Sequence, residues 1–145
     1  MNLEKYSVTS DYAHLAYEFL SEGPNGTIKK VILYQEIDHD VFNLAFGDWN
    51  EIEQRIDDEV RSNNNDRDKV LATVASTVID FIKYYPNAQI FAKGITPGKT
   101  RLYQMGINSN WNDISELFEV QGNFKGKWEV FKRNKNYQAF ALKAK

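Results

Sequence analysis

The chain has 145 residues, of which 42% are hydrophobic and 14% aromatic, enough for one hydrophobic core and above what a disordered segment carries. It contains no cysteine, which excludes disulfide frameworks, zinc ribbons, iron–sulfur sites and thiol nucleophiles and fits a reducing compartment. Its net charge of −2 conceals an asymmetry: residues 1–92 hold 8 Lys/Arg against 16 Asp/Glu, whereas residues 93–145 hold 10 against 4. Either the halves attract one another, or the second half forms a basic surface for an anionic ligand or nucleic acid.

Glu4, Asp11 and Glu18 fall where a signal peptide needs a cationic start and an apolar run, and no later stretch reaches the length of a membrane span. A cytoplasmic protein with a single domain over residues 1–145 is expected, with no membrane partner. The first strand is read over Ala13 to Phe19, where Leu15, Tyr17 and Phe19 alternate. The GPNG turn from Gly23 to Gly26 joins it to a β-rich stretch, Ile28 to Ile37. A third strand runs from Val41 to Phe46 and is expected to stop at Gly47-Asp48. Together these form an antiparallel meander.

From Asp48 to Asp68 the chain is acidic and polar, with Asp57, Asp58, Glu59 and the run SNNND at Ser62 to Asp66, and it reads as a surface loop. Helical spacing then takes over. Val70, Leu71, Val74, Val78, Phe81, Ile82 and Tyr85 recur every three or four residues until Pro86, and Asn65 or Asp66 can supply the N-cap. A short strand at Gln89 to Lys93 leads through a loop, Gly94 to Gly98, into a second helix from about Lys99 to Gly106. Three further strands are expected at Leu117 to Gln121, Lys127 to Arg133 and Tyr137 to Leu142. The fold class is α+β: a mixed or mainly antiparallel curved sheet of about six strands, with one long helix packed on it and a second short helix. Expected core positions are Leu15, Tyr17, Phe19, Leu44, Phe46, Val70, Val74, Val78, Phe81, Ile90, Leu102, Trp128 and Phe140.

The run GITPGKT resembles a phosphate-cradling P-loop, but Gly94 and Gly98 enclose three residues where that loop needs four, and Pro97 lacks a donor N–H. A loop entering a helix N-terminus still offers N–H groups and partial positive charge. Lys93, Thr96, Lys99, Thr100, Arg101 and Tyr103 are therefore the candidate anion-binding residues. The competing reading is a well-capped helix start, with Thr96 as cap and Pro97 in the first turn. The two histidines, His14 in the first strand and His39 in the turn Glu36 to Asp40, have no nucleophile at a recognisable spacing. Asp38, His39 and Asp40 read as a polar strand terminus, so no metal and no cofactor are expected. Asp57 and Asp58, neighbours in a polar loop, receive no catalytic role. Tyr103, Trp111, Phe124, Trp128, Phe131 and Tyr137 lie among basic residues, the mixture used by single-strand nucleic-acid binders, although alternation places most of them in the core.

The segments YEFLSEGPNGTIKK (Tyr17 to Lys30), NLAFGD (Asn43 to Asp48), KVLATVAST (Lys69 to Thr77), GITPGKTRLY (Gly94 to Tyr103) and NYQAF (Asn136 to Phe140) resemble, in that order and spacing, a family of small uncharacterised bacterial proteins known as a domain of unknown function. The likeness runs from about Tyr12 to Leu142. It implies no activity, cofactor or partner. The family's loop pattern, GxTxxxTRLY, matches at Gly94, Thr96, Thr100, Arg101, Leu102 and Tyr103. Ile95 stands where the family tends to have a hydroxyl, which removes one potential anion ligand. Asn64, Asn65 and Asp66 are similar to the family pattern as well and are expected to pack near the loop.

The leading expectation is a non-catalytic module that binds a phosphate-bearing ligand or nucleic acid at the Gly94 to Arg101 loop. One alternative is a metal-independent nuclease or phosphate-transfer toxin in which Lys99 and Arg101 stabilise charge and Tyr103 or His14 moves a proton. Another is a protein–protein interaction domain.

Overall fold

The computed structural model describes residues 4–57 and 63–145. The order of elements is β1 (Thr9–Ser10), β2 (Ala16–Gly23), β3 (Gly26–Asp38), β4 (Val41–Asn50), β5 (Arg55–Asp57), α1 (Arg67–Tyr84), β6 (Gln89–Ala92), α2 (Pro97–Ser109), α3 (Trp111–Leu117), β7 (Phe118–Phe124), β8 (Lys127–Val130) and β9 (Ala139–Ala144). The strands form one open sheet in the order β1-β2-β3-β4-β6-β9-β7-β8, with β5 added to β4. β4 and β6 run parallel, joined through α1, and the other paired strands are antiparallel.

The expected meander is present as β2, β3 and β4, with Pro24 and Asn25 turning between the paired Gly23 and Gly26. The sheet is larger than the sequence suggests, with nine strands rather than about six and three helices among the described residues rather than two. The extra strands β1 and β5 are two and three residues long, too short to show a period. β5 lies within the stretch expected to be a loop; Asp58, Glu59 and Ser62 fall outside the described residues. α3 buries only Ile114, so it leaves no apolar stripe in the sequence.

Strand β4 runs past the expected stop to Asn50, because Gly47 and Asp48 pair with Val31 and Lys30 across the sheet. Lys30 and Asp48 stand directly opposite and form an ion pair at 2.5 Å, both largely shielded from solvent, which continues the ladder where the apolar pattern ends. His14 is not in a strand. It sits in the turn ahead of β2 with φ of 57°, so Leu15 also precedes the strand.

One face of the sheet carries Tyr17, Phe19, Ile32, Tyr34, Phe42, Leu44, Phe46, Ile90, Phe140 and Leu142, all buried. The helices cover this face through Val70, Leu71, Ala75, Val78 and Phe81 of α1, Tyr103 and Ile107 of α2, and Ile114 of α3. Phe81 is fully buried and stacks on Tyr34 with ring centres 4.2 Å apart. Side chains of opposite parity, including Asn43, Phe91, Asn123 and Trp128, point to the face without helices. Trp128 is therefore not a core residue: it is 44% exposed on the edge strand β8, against the expectation from alternation. Alternation identifies which residues share a face but not which face receives a helix.

The polar run before α1 is structural. Asp66 does not cap the helix through its side chain; its Oδ2 accepts from the Tyr6 and Ser21 hydroxyls, both at 2.6 Å. Asn64 donates to the Ser21 hydroxyl and the Gly26 carbonyl and accepts from the Asn25 N–H at 2.8 Å. Asn64 and Asp66 thus clamp the β2–β3 hairpin onto α1. Their side-chain hydrogen-bond partners are Tyr6, Ser21, Asn25 and Gly26, none of them in the Gly94 loop.

Candidate functional site

The loop between β6 and α2 is built on a close backbone approach. The Gly94 N–H donates to the Thr100 hydroxyl oxygen at 3.0 Å. A side chain at Gly94 would collide with the Thr100 N–H and with Lys99, so only glycine fits there. Thr96 is extended, and its hydroxyl oxygen accepts from the Lys99 N–H at 3.1 Å; Pro97 occupies the first helical position. The Thr100 N–H donates to the Thr96 carbonyl at 3.1 Å. The helix start is thus capped as the competing sequence reading expects, and the Thr96 and Thr100 hydroxyls are engaged in holding it.

The six sequence candidates separate by helical geometry. Residues advance about 100° per step around an α-helix, so Lys99 and Arg101 point to opposite sides of α2. Lys99 turns to the helix-covered face, its Nζ 4.7 Å from the centre of the Phe46 ring. Tyr103 is buried, lining a small apolar cavity of about 60 Å³ with Leu71, Val78 and Ile107. Lys93, Thr96, Thr100 and Arg101 instead line an open cleft of about 610 Å³. Lys93 and Arg101 are exposed, and neither forms an ion pair or hydrogen bond with the described residues.

The opposite wall comes from the C-terminal third. Tyr137 lies on Gly122, where any Cβ would run into its ring. Gln104 ties this wall to α2: its carbonyl oxygen accepts from the Tyr137 N–H at 3.0 Å and its amide donates to the Lys135 carbonyl at 2.5 Å. The Tyr137 hydroxyl donates to Glu129 at 2.9 Å and accepts from the Lys132 N–H at 3.0 Å. Lys135 pairs with Glu129 at 2.8 Å. Hydrogen bonds from Lys135 and then Tyr137 hold the Glu129 carboxyl below the usual glutamate range. Burial, helped by the bond to Glu129, raises the Tyr137 phenol. These groups fasten the wall to α2 and to β8.

Trp128, Phe91, Asn123, Asn136 and Gln138 complete the cleft, and none of the described residues lining it is acidic. Trp128 packs edge-on against Phe91, ring centres 5.9 Å apart at 65°. Asn123 and Gln138 use their carbonyl oxygens to accept from the Gly126 and Lys125 N–H groups. Their amide NH₂ groups remain as donors at the cleft. Sequence reasoning missed Phe91, Asn123 and Gln138, whose only signal is their register: Asn123 pairs with both Trp128 and Ala139, and Ala141 pairs with Phe91. The mixture of aromatic and basic residues did signal Trp128.

The histidines lie elsewhere. His14 Nδ1 is 3.1 Å from Asp80 Oδ2 and the ring stacks on Tyr84 at 3.6 Å. The Tyr17 hydroxyl donates to the same carboxylate oxygen at 2.7 Å, and burial first, then this bond, pushes its phenol far above the usual tyrosine range. This cluster pins the turn before β2 to α1. His39 is exposed in the β3–β4 turn. No group of three His, Asp or Glu able to hold a metal ion occurs among the described residues, and no described helix is long and apolar enough to cross a membrane.

Comparison with protein-family models matches residues 2–145. The chain belongs to DUF6934, a family of unknown function. The family assignment covers the loop, the cleft and the hairpin clamp alike. No curated protein and no solved structure matches this DUF6934 chain.

Proposed function

We propose that this DUF6934 protein is a non-catalytic binding module that holds a phosphate-bearing ligand in the cleft between the Gly94 to Arg101 loop and the β7–β8 hairpin, in the cytoplasm of a bacterium. The observation that carries this reading is the convergence of two cations, Lys93 and Arg101, that make no ion pair with the described residues, on a cleft with no carboxylate among the described residues that line it. Charges of one sign at a concave surface raise the local concentration of oppositely charged ligands. The helix N-terminus adds little, because Pro97 has no N–H and the Lys99 and Thr100 N–H groups are already used. Lys99 and Tyr103, named as candidates from sequence, have no part in the proposed site; Thr96 and Thr100 shape it.

The size of the cleft supports a ligand of nucleotide scale, since small-molecule sites span about 300–1,000 Å³. The non-catalytic reading is favoured over a nuclease or phosphate-transfer enzyme by the placement of the proton carriers. Tyr103 faces the apolar cavity and His14 is bound to Asp80. The test is a titration of the full chain with pyrophosphate, nucleotides and oligonucleotides across a range of salt. Binding that weakens with salt and drops with Lys93→Ala and Arg101→Ala is expected. Absence of salt-sensitive binding to any of them, or binding indifferent to both substitutions, overturns the proposal.

A further inference from the structure

Phosphate recognition needs no exposed tryptophan, yet Trp128 is 44% exposed on the wall of this cleft. An indole in that position is costly unless its surface has a use, because large aromatic side chains bury readily in a core. Its strand offers a partial reason for the exposure: β8 is the edge of the sheet and its second outward side chain, Val130, is exposed too. Trp128 differs from Val130 in being oriented, held edge-on by Phe91 beside Lys93 and Arg101.

Resting on the binding function proposed above, we propose that the ligand is single-stranded nucleic acid, with one unpaired base stacked on Trp128 and the adjoining phosphates held by Lys93 and Arg101. Aromatic platforms flanked by cations are the working parts of single-strand binders, because each base offers a π-face and the backbone offers charge. The free NH₂ groups of Asn123 and Gln138 supply donors for base carbonyls or phosphate oxygens. A duplex is disfavoured, since its base faces are already stacked. A continuous strand is favoured over a free nucleotide by where the positive charge goes. Beyond the cleft lining, the β7–β8 turn carries the exposed Lys125 and Lys127, in a part of the chain with 10 Lys/Arg against 4 Asp/Glu.

The experiment measures anisotropy of fluorescein-labelled 12-mers of single-stranded DNA and RNA, and of the matching duplex, against the full chain, with inorganic polyphosphate and a free nucleotide as competitors. Tight binding of a single strand over duplex is expected, with weak competition by the free nucleotide. Trp128→Ala should weaken single-strand binding at least about tenfold, the effect of losing one base–aromatic stack. Trp128→Phe keeps a ring and serves where the alanine variant melts early; it should bind nearly as wild type while abolishing most of the strand-induced quenching of tryptophan fluorescence. If polyphosphate binds and Arg101→Ala weakens it, but the strand binds no better than duplex or Trp128→Ala leaves strand binding unchanged, the stacking inference fails and the phosphate site stands. If the free nucleotide binds as tightly as the strand, the inference of a strand is overturned. If nothing anionic binds, both readings fall.

Discussion

Replacing Thr100 by valine separates the structural hydroxyls of the loop from its unpaired cations. The substitution keeps the shape of the side chain but removes the oxygen that accepts from the Gly94 N–H at 3.0 Å, at a position where both residues are buried. A buried N–H left without an acceptor costs about 1–3 kcal/mol. For a chain of this length each kcal/mol lowers Tm by about 2–4 °C, so a fall of about 2–12 °C is expected. Thr96→Ala, which removes an exposed cap, should cost about 1 kcal/mol. Arg101→Ala touches a side chain with no ion pair and should change stability by no more than about 0.5 kcal/mol. Thermal melts by circular dichroism, paired with urea titrations, measure all three. A Thr100→Val protein that melts with wild type, or an Arg101→Ala protein that falls as far as Thr100→Val, refutes this division of labour.

Gly122→Ala pushes the Tyr137 ring off the sheet and should cost about 1–3 kcal/mol; an unchanged melting curve would show that the wall can shift freely. Asp66→Ala withdraws the acceptor shared by the Tyr6 and Ser21 hydroxyls, and a loss of about 1–3 kcal/mol is expected in urea denaturation, with no effect on ligand binding at the cleft. Because Lys135 and Tyr137 hold Glu129 below its ordinary value of 4.5, ionised Glu129 stabilises the fold. That contribution is complete above the ordinary value and is lost as pH falls through the lowered one. Glu129→Gln should therefore flatten the acid side of a plot of urea midpoint against pH, and an identical slope in the two proteins contradicts the assignment.

Much of the fold is legible because its strongest elements announce themselves locally. The α1 stripe from Val70 to Phe81 and the Gly23–Gly26 turn are periodic or turn signals that need no distant partner. The loop also reads correctly as a capped helix start, since Thr96 and Pro97 act on their immediate neighbours. What does not read is anything decided by pairing. Asp48 extends β4 because Lys30 stands opposite it, eighteen residues earlier, and β5 exists because β4 offers an edge. Trp128 could not be placed from its own strand: KWEV alternates whichever face the helices cover. Lys99 and Arg101 look equivalent in a basic run but stand on opposite sides of α2, and only the second lines the cleft with Lys93.

If the cleft beside the Gly94 to Arg101 loop is where the protein meets its ligand, binding must register at the residues that line it. A two-dimensional ¹⁵N–¹H spectrum of the labelled chain, recorded with and without a single-stranded oligonucleotide at low and high salt, locates the contact directly. Shifts are expected at the Lys93, Gly94 and Arg101 amides, the Trp128 indole N–H and the Gln138 side-chain amide, fading as salt rises. Shifts confined to the His14–Asp80 end of the sheet, or none at low salt, would contradict binding at the cleft.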